Sequence, residues 1–251
     1  ASLAAYECVL EGNALPWDEP DGETRAIRLF EKAIEIDPGY ALAHALLANM
    51  HFRTWYHDPG DADAEAALDE TYALAKRAVE LDNNESTCFS ILAQVCLLRR
   101  AYDQALRYGR RALEINPTNQ WNTADMGIVQ LYAGDAEVAL AWFLRAREID
   151  PYFDPPWYFR FLGVVLMTLH RYEEALAMLD HLPPHQYRVA ALMAGCHARL
   201  GHVEPASACA ATCLANKPGF SIRHFMAAEP FKDPAEAADL AGSLQMAGLP
   251  A

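Results

Sequence analysis

Cysteine and histidine residues near the C-terminal end could form a metal site. Cys209 and Cys213 lie one helical turn apart, and Cys196-His197 belongs to the preceding predicted helix. Four ligands of these types suit Zn²⁺. However, Cys213 occupies a position that the chain elsewhere gives to small packing residues, and no Cys-x2-Cys pair occurs. We therefore predict neither a metal nor another cofactor.

A second group of potential ligands is the acidic run Asp58, Asp61, Asp63 and Glu65, which suggests calcium. It lacks the ligand order, the central glycine and the closing glutamate of an EF-hand loop. A solvated loop with helix-capping carboxylates is the better interpretation.

Catalytic motifs in the sequence would indicate an enzyme. The chain contains no Gly-x-Ser-x-Gly sequence, no phosphate-binding loop and no dinucleotide fingerprint. A Cys–His dyad assembled from distant helices stays open, but a broad groove favours binding over chemistry. We predict that the chain is not an enzyme.

The elements that would position any site follow from a recurring pattern of small residues and proline. The period is 34 residues from Pro117 to Pro151, and Asn83 stands 34 residues before Pro117. The four segments that share the pattern are Ala26-x3-Phe30-x2-Ala33-x4-Pro38, Ala105-x3-Gly109-x2-Ala112-x4-Pro117, Ala139-x3-Phe143-x2-Ala146-x4-Pro151 and Ala206-x3-Ala210-x2-Cys213-x4-Pro218.

This pattern resembles the tetratricopeptide repeat family, whose unit is a helix–turn–helix. The resemblance implies an all-α fold: a right-handed superhelix (α-solenoid) of about six repeats with a concave groove. We expect repeats over residues 1–218, at about 1–40, 41–85, 86–119, 120–153, 154–186 and 187–220. Residues 219–251 are expected to form a C-terminal capping segment with a last helix that begins after Asp233.

The second repeat carries an insertion near residues 54–65, with turn residues at His57–Asp61. Trp55 and Tyr56 precede this turn. Two interpretations stay open. The insertion is either an aromatic lip on the groove or an extra turn on each helix of the second repeat, packed against the first repeat.

A second resemblance concerns both ends of the chain. Tyr6-x5-Gly12, the run 29–38, Pro230-Phe231-x-Asp233-Pro234 and Ala247-Gly248-Leu249-Pro250 are similar to the C-terminal repeat segments of bacterial signalling proteins. In those proteins the segment follows a class III adenylate/guanylate cyclase domain or a winged-helix DNA-binding domain. The resemblance implies a regulatory C-terminal part, with any such activity in a preceding domain.

The groove is expected to be lined by the first helix of each repeat, about one turn either side of its small residue. We expect partner contacts from aromatic, amide and arginine side chains, since Trp, Tyr and Arg are enriched in interface hot spots. The arginines are expected to be exposed, because burying an unpaired guanidinium is costly. For the aromatic residues, burial in the core stays an alternative, and a hot spot is placed between Trp121 and Trp157. The predicted groove residues are Tyr6, Asn13, Asn49, Phe52, Arg53, Gln94, Trp121, Tyr132, Trp157, Arg160, Arg188 and Arg199.

One known role of the family is excluded by the residues present. Adaptors that bind chaperone tails hold a C-terminal carboxylate with Lys and Arg next to Asn on successive first helices. Asn13 and Asn49 occupy the asparagine positions, but Val9 and Ala45 stand where the lysines belong. An apolar or aromatic segment is the expected ligand.

Composition sets the remaining bounds. The net charge is −14, so nucleic-acid binding is not expected. Of the 251 residues 53% are apolar, which is enough for a continuous core. There is no signal segment and no apolar run of membrane-spanning length, and the six scattered cysteines suggest reduced thiols in the cytoplasm.

These observations predict a protein–protein interaction module for a protein or peptide partner. The alternatives are a self-assembly element that forms a homo-oligomer and, more remotely, a small-ligand sensor.

Overall fold

The structure is a computed structural model that describes residues 1–17, 20–57 and 64–251. Within these ranges the regular structure is α-helical throughout, with helices α1 to α14 and no strand. The predicted all-α fold is therefore confirmed. The chain is divided into two compact units: unit 1 is Ala1–Pro117 and unit 2 is Thr118–Ala251.

Successive helices pack in pairs. Unit 1 contains α1 (Leu3–Asn13) with α2 (Pro20–Ile36), α3 (Ala41–His57) with α4 (Ala64–Leu81), and α5 (Ser86–Leu98) with α6 (Tyr102–Ile115). Unit 2 contains α7 (Gln120–Ala133) with α8 (Ala136–Ile149), α9 (Pro156–Thr168) with α10 (Tyr172–Leu179), and α11 (Tyr187–Arg199) with α12 (Val203–Asn216). The short α13 (Ile222–Ala227) and α14 (Pro234–Met246) complete unit 2.

Small residues let the two helices of a pair approach closely. An added Cβ at Gly12 of α1 would lie 2.5 Å from the ring of Phe30 in α2, and one at Gly127 of α7 would lie 2.7 Å from the ring of Phe143 in α8. A larger side chain would push the backbones apart. The repeated glycine and alanine positions thus fix the spacing within pairs.

The inserted second repeat lengthens its helices. The side chain of Tyr56 is buried within α3, whose C-terminal turn packs against the first pair through a hydrogen bond from Thr54 to Glu23. This supports the extra-turn interpretation for α3. Residues 58–63, which carry most of the predicted turn and of the predicted acidic loop, lie outside the described residues, as do residues 18 and 19 of the first turn.

Residues 219–251, which we call the tail segment, follow the last helix pair. Its helix α14 begins after Asp233, whose carboxylate caps it by accepting the N–H of Ala235. The helix packs on α11 and also on α9, the first helices of two successive pairs. The tail segment thus covers part of the surface that the sequence predicts to bind partners, which the expectation of an end cap did not include.

Candidate binding surface

The first helices of unit 2 contact one another in succession and carry half of the predicted binding residues. Helix α9 contacts both α7 and α11. We call the surface of these three helices the first-helix face. It carries Trp121, Tyr132, Trp157, Arg160, Arg188 and Arg199.

Two predicted residues, Trp121 and Trp157, meet in what we call the aromatic cluster, with Phe153 as its third member. The indole centroids are 5.8 Å apart, and the ring of Phe153 stands edge-on to Trp121 at 4.9 Å. The side-chain amide oxygen of Asn119 accepts the N–H of Trp121 at 2.9 Å, which fixes the start of α7. Trp121 is 47% exposed, so a large aromatic surface faces solvent on a rigid helix end.

Two other predicted residues hold the tail segment of the same chain. Arg188 and Tyr132 are 3% and 1% exposed. Arg188 donates to the carboxylate of Glu229 at 2.6 Å, and the Tyr132 hydroxyl donates to the other oxygen of that carboxylate. We call Tyr132 and Arg188 the tail pocket.

Aromatic and backbone contacts complete the tail pocket. The Arg188 guanidinium lies 4.4 Å from the ring centroid of Phe225, and the ring of Phe231 packs against Tyr132 at 5.0 Å. The main-chain N–H of Lys232 donates to the carbonyl of Tyr132 at 2.9 Å. Glu229, Phe231 and Lys232 are therefore held by charge, by an aromatic ring and by the backbone, respectively.

Arg199 anchors α14 instead of facing solvent. Its guanidinium donates to the Asp239 carboxylate, to the Asp239 carbonyl at 3.0 Å and to the Ser243 hydroxyl at 2.8 Å. Arg160 is half-buried, with its guanidinium 4.5 Å from the ring centroid of Phe161.

The expectation that the groove arginines are exposed is wrong for Arg188. Its burial is compensated by the carboxylate of Glu229, so the cost of an unpaired charge does not arise. Tyr132 is also buried, which was the stated alternative for aromatic residues. Sequence reasoning missed Glu229, although a single carboxylate within the apolar run 225–231 was a usable signal.

The other predicted residues belong to unit 1. Tyr6 and Asn13 on α1 are exposed. The remaining four are half-buried: Asn49, Phe52, Arg53 and Gln94. Phe52 stacks on Tyr56 at 6.3 Å, and Arg53 donates to the carbonyl of Trp17 at 3.2 Å. Phe52 and Arg53 thus contribute to packing at the end of α3.

The candidate zinc ligands of the sequence do not converge. No group of three or more metal-ligating side chains is found in residues 1–17, 20–57 and 64–251. Burial raises the pKa of Cys196 to about 12 and that of Cys213 to about 11, which disfavours the thiolate that metals and electrophiles require. Instead, the ring of His197 meets that of His202, with their Nδ1 atoms 3.3 Å apart.

A cavity of about 230 Å³ separates the end of α9 from α14. Its walls include His170, Glu236 and Asp239. The buried Oε2 of Glu236 accepts no hydrogen bond from the described residues. Burial, followed by the charges of Asp233 and Asp135, raises the pKa of Glu236. The surroundings of Glu236 thus make ionisation of its carboxyl group less favourable than in water.

Among the helices described, none is long and apolar enough to cross a bilayer.

Comparison with known proteins places the chain among helical repeat proteins. No protein-family model matches it. Anaphase-promoting complex subunit 3 of Schizosaccharomyces pombe is 25% identical over 160 residues, which is 63% of this chain and 22% of that protein. The chain therefore spans about a fifth of the length of this curated relative.

Solved structures agree on the fold. The Cut9–Hcn1 hetero-tetramer of the APC/C superposes with a TM-score of 0.66 at 16% identity, covering 91% of this chain and 46% of that chain. PilW, a type IV pilus biogenesis factor, gives 0.60 at 17% identity over 88% and 96% of the two chains. PilF of Pseudomonas aeruginosa gives 0.55 at 16% identity over 88% and 95%. Together with the helix pairs, these similarities establish the tetratricopeptide-type fold.

Proposed function

We propose that the chain is a non-enzymatic interaction module that binds a protein or peptide partner on the first-helix face of unit 2. The observation that carries this proposal is the aromatic cluster, where a tryptophan at a capped helix start is 47% exposed. Rigid, exposed Trp side chains contribute strongly when a partner desolvates them. Half-buried Arg160 lies on the same helix as Trp157 and would orient acidic groups of the partner.

A capture experiment tests this proposal. The parent chain and a Trp121→Ala/Trp157→Ala/Arg160→Ala variant are compared in their binding of proteins from a cell lysate, after circular dichroism confirms equal helicity. The matched control is Leu144→Ala/Val203→Ala, because Leu144 and Val203 are 52% and 77% exposed elsewhere in unit 2. A partner retained by the parent and the control but lost by the first variant supports the proposal. Equal capture by all three argues against it.

The wider context of the module rests on the sequence. We propose six repeats with the boundaries given above, and a place for the chain in the cytoplasm as the regulatory C-terminal part of a bacterial signalling protein. The resemblance of the chain ends to such segments supports this context, and the net charge of −14 favours a protein partner over nucleic acid.

Self-assembly is a second candidate, favoured by an apolar stripe on α1. Leu3, Tyr6 and Leu10 are 72%, 47% and 50% exposed, and their spacing places them on one side of the helix. Static light scattering over a range of concentrations tests it. A mass that doubles for the parent but not for Tyr6→Ser/Leu10→Ser supports a homo-oligomer through this stripe, whereas a monomer at high micromolar concentration rejects it.

A further inference from the structure

The tail segment occupies its pocket in the manner of a bound peptide. Residues 228–233, between α13 and α14, form no helix. The bond between Tyr132 and Glu229 joins residues 97 positions apart in sequence. A non-helical stretch is thus held by helices that lie far before it in the sequence.

We propose that the tail pocket is a recognition site for a non-helical segment with a carboxylate two residues before an aromatic ring. The chain's own Glu229-Pro230-Phe231 is its exchangeable occupant, and a partner segment of the same chemistry displaces it. This inference rests on the proposed function, because it assumes that the first-helix face binds other polypeptides.

The carboxylate requirement follows from the two donors of the pocket. Arg188 and the Tyr132 hydroxyl both point at Glu229, which is 2% exposed. A segment without a carboxylate would leave the guanidinium buried without its counter-charge, which is strongly unfavourable. Amide or apolar side chains at this position are therefore rejected.

The aromatic requirement and the register follow from Tyr132. Its ring receives Phe231 at an interplanar angle of 73°, and its carbonyl accepts the N–H of Lys232. The main-chain N–H of Phe231 donates to the carbonyl of Glu229 at 2.9 Å, and Pro230 between them has the restricted φ that suits this tight turn. A partner segment can satisfy all of these groups with the sequence acid–proline–aromatic.

The buried ion pair between Arg188 and Glu229 is better suited to selecting the bound segment than to stabilising the fold. Desolvating both charges offsets much of their attraction, so such pairs contribute little net stability and are best attested in fixing register. Separate contacts of Arg199 with Asp239 and Ser243 anchor α14. The stretch 228–233 can therefore leave the pocket while α14 stays in place.

The chain's own segment competes at a high effective concentration, on the order of millimolar for a short tether. A free peptide can bind only those molecules whose pocket is open. Its apparent affinity for the parent chain is therefore lower than its intrinsic affinity, in proportion to the fraction of open pockets. Weakening the tail segment removes this competition, which provides the test.

The probe is a fluorescent peptide with the sequence of residues 224–234, and its binding to the full chain is measured by anisotropy. Glu229→Gln/Phe231→Ala empties the pocket without changing Tyr132 or Arg188. We expect this variant to bind the peptide at least tenfold more tightly than the parent, and a peptide with Gln in place of Glu to bind at least tenfold more weakly. Met246→Ala, at an exposed position of the tail segment, is the control and should behave as the parent.

Three results would overturn the proposal. The first is a folded Glu229→Gln/Phe231→Ala variant that binds the peptide no better than the parent. The second is equal binding of the Glu and Gln peptides. The third is a parent dimer that exchanges tail segments, which would make a second copy the occupant.

If the variant does not fold, amide hydrogen exchange of Lys232 in the parent replaces it. We expect millimolar peptide to accelerate this exchange, and an unchanged rate would also overturn the proposal. The aromatic cluster is intact in every variant here, so the capture experiment and the peptide experiment can fail independently.

Discussion

The buried pair Arg188–Glu229 gives the sharpest energetic prediction. Glu229→Gln keeps the shape of the side chain but removes the charge that faces Arg188, whose side chain is 4% exposed. Breaking a buried pair on one side costs about 3–5 kcal/mol, because an uncompensated charge remains in the interior. We therefore expect unit 2 to lose about 3–5 kcal/mol of its free energy of unfolding.

Removing both charges should cost less than removing one. Arg188→Met/Glu229→Met removes both charges of the pair together, so the double variant should be more stable than either Arg188→Met or Glu229→Met. The control is the exposed pair Arg171–Glu174, where Glu174→Gln should change stability little.

The assay must report on unit 2 alone, because a chain of two compact units need not unfold in one step. Amide hydrogen exchange of α7, α9 and α11, read by mass spectrometry, provides this. A loss of less than about 1 kcal/mol for Glu229→Gln would contradict the prediction, because that is the range of exposed pairs. Additive losses of stability for the two Met substitutions would also contradict it.

Three further predictions test packing and ionisation. Gly127→Ala should lower stability by about 1–3 kcal/mol through overpacking, since its Cβ would lie 2.7 Å from the facing phenylalanine ring. Thermal unfolding measures this loss. In the control Gly219→Ala the added Cβ has no atom within 4 Å, so its stability should be nearly unchanged. The raised pKa of Glu236 means that its contribution to stability is fully present below the ordinary pKa of glutamate and is lost as the pH rises through the raised value. Glu236→Gln should therefore raise the melting temperature at pH 7 but not at pH 3.5, and an equal effect at both pH values would contradict this. Cys196, whose pKa burial raises to about 12, should react with iodoacetamide at pH 8 only after unfolding, and half-buried Cys209 should react earlier, as peptide mapping can show.

The repeat pattern predicted the helix pairs because its small residues and prolines reflect contacts between helices that are adjacent in sequence. Gly127 faces Phe143 within one pair, and proline follows two residues after helices such as α6 and α8. The contact of Trp121 with Trp157 was also within reach, since first helices of successive pairs lie side by side.

The tail pocket was out of reach of the same reasoning. Arg188 meets Glu229 41 positions later, in a stretch without helical periodicity, and no repeat pattern encodes that distance. The expectation that arginines are exposed assumes that a buried guanidinium would be unpaired. It fails here because the carboxylate that pairs with Arg188 comes from a non-repeating segment. The least periodic part of the chain thus determines which part of the predicted surface stays open.

Site-specific photo-crosslinking tests most directly whether the aromatic cluster binds another polypeptide. A photo-reactive amino acid replaces Trp121 in one sample and Val203, which is 77% exposed on α12, in the other. We expect a crosslink from position 121 to one defined segment of a partner, lost on Trp157→Ala and absent from position 203. Equal crosslinking from both positions, or none from position 121, would contradict it.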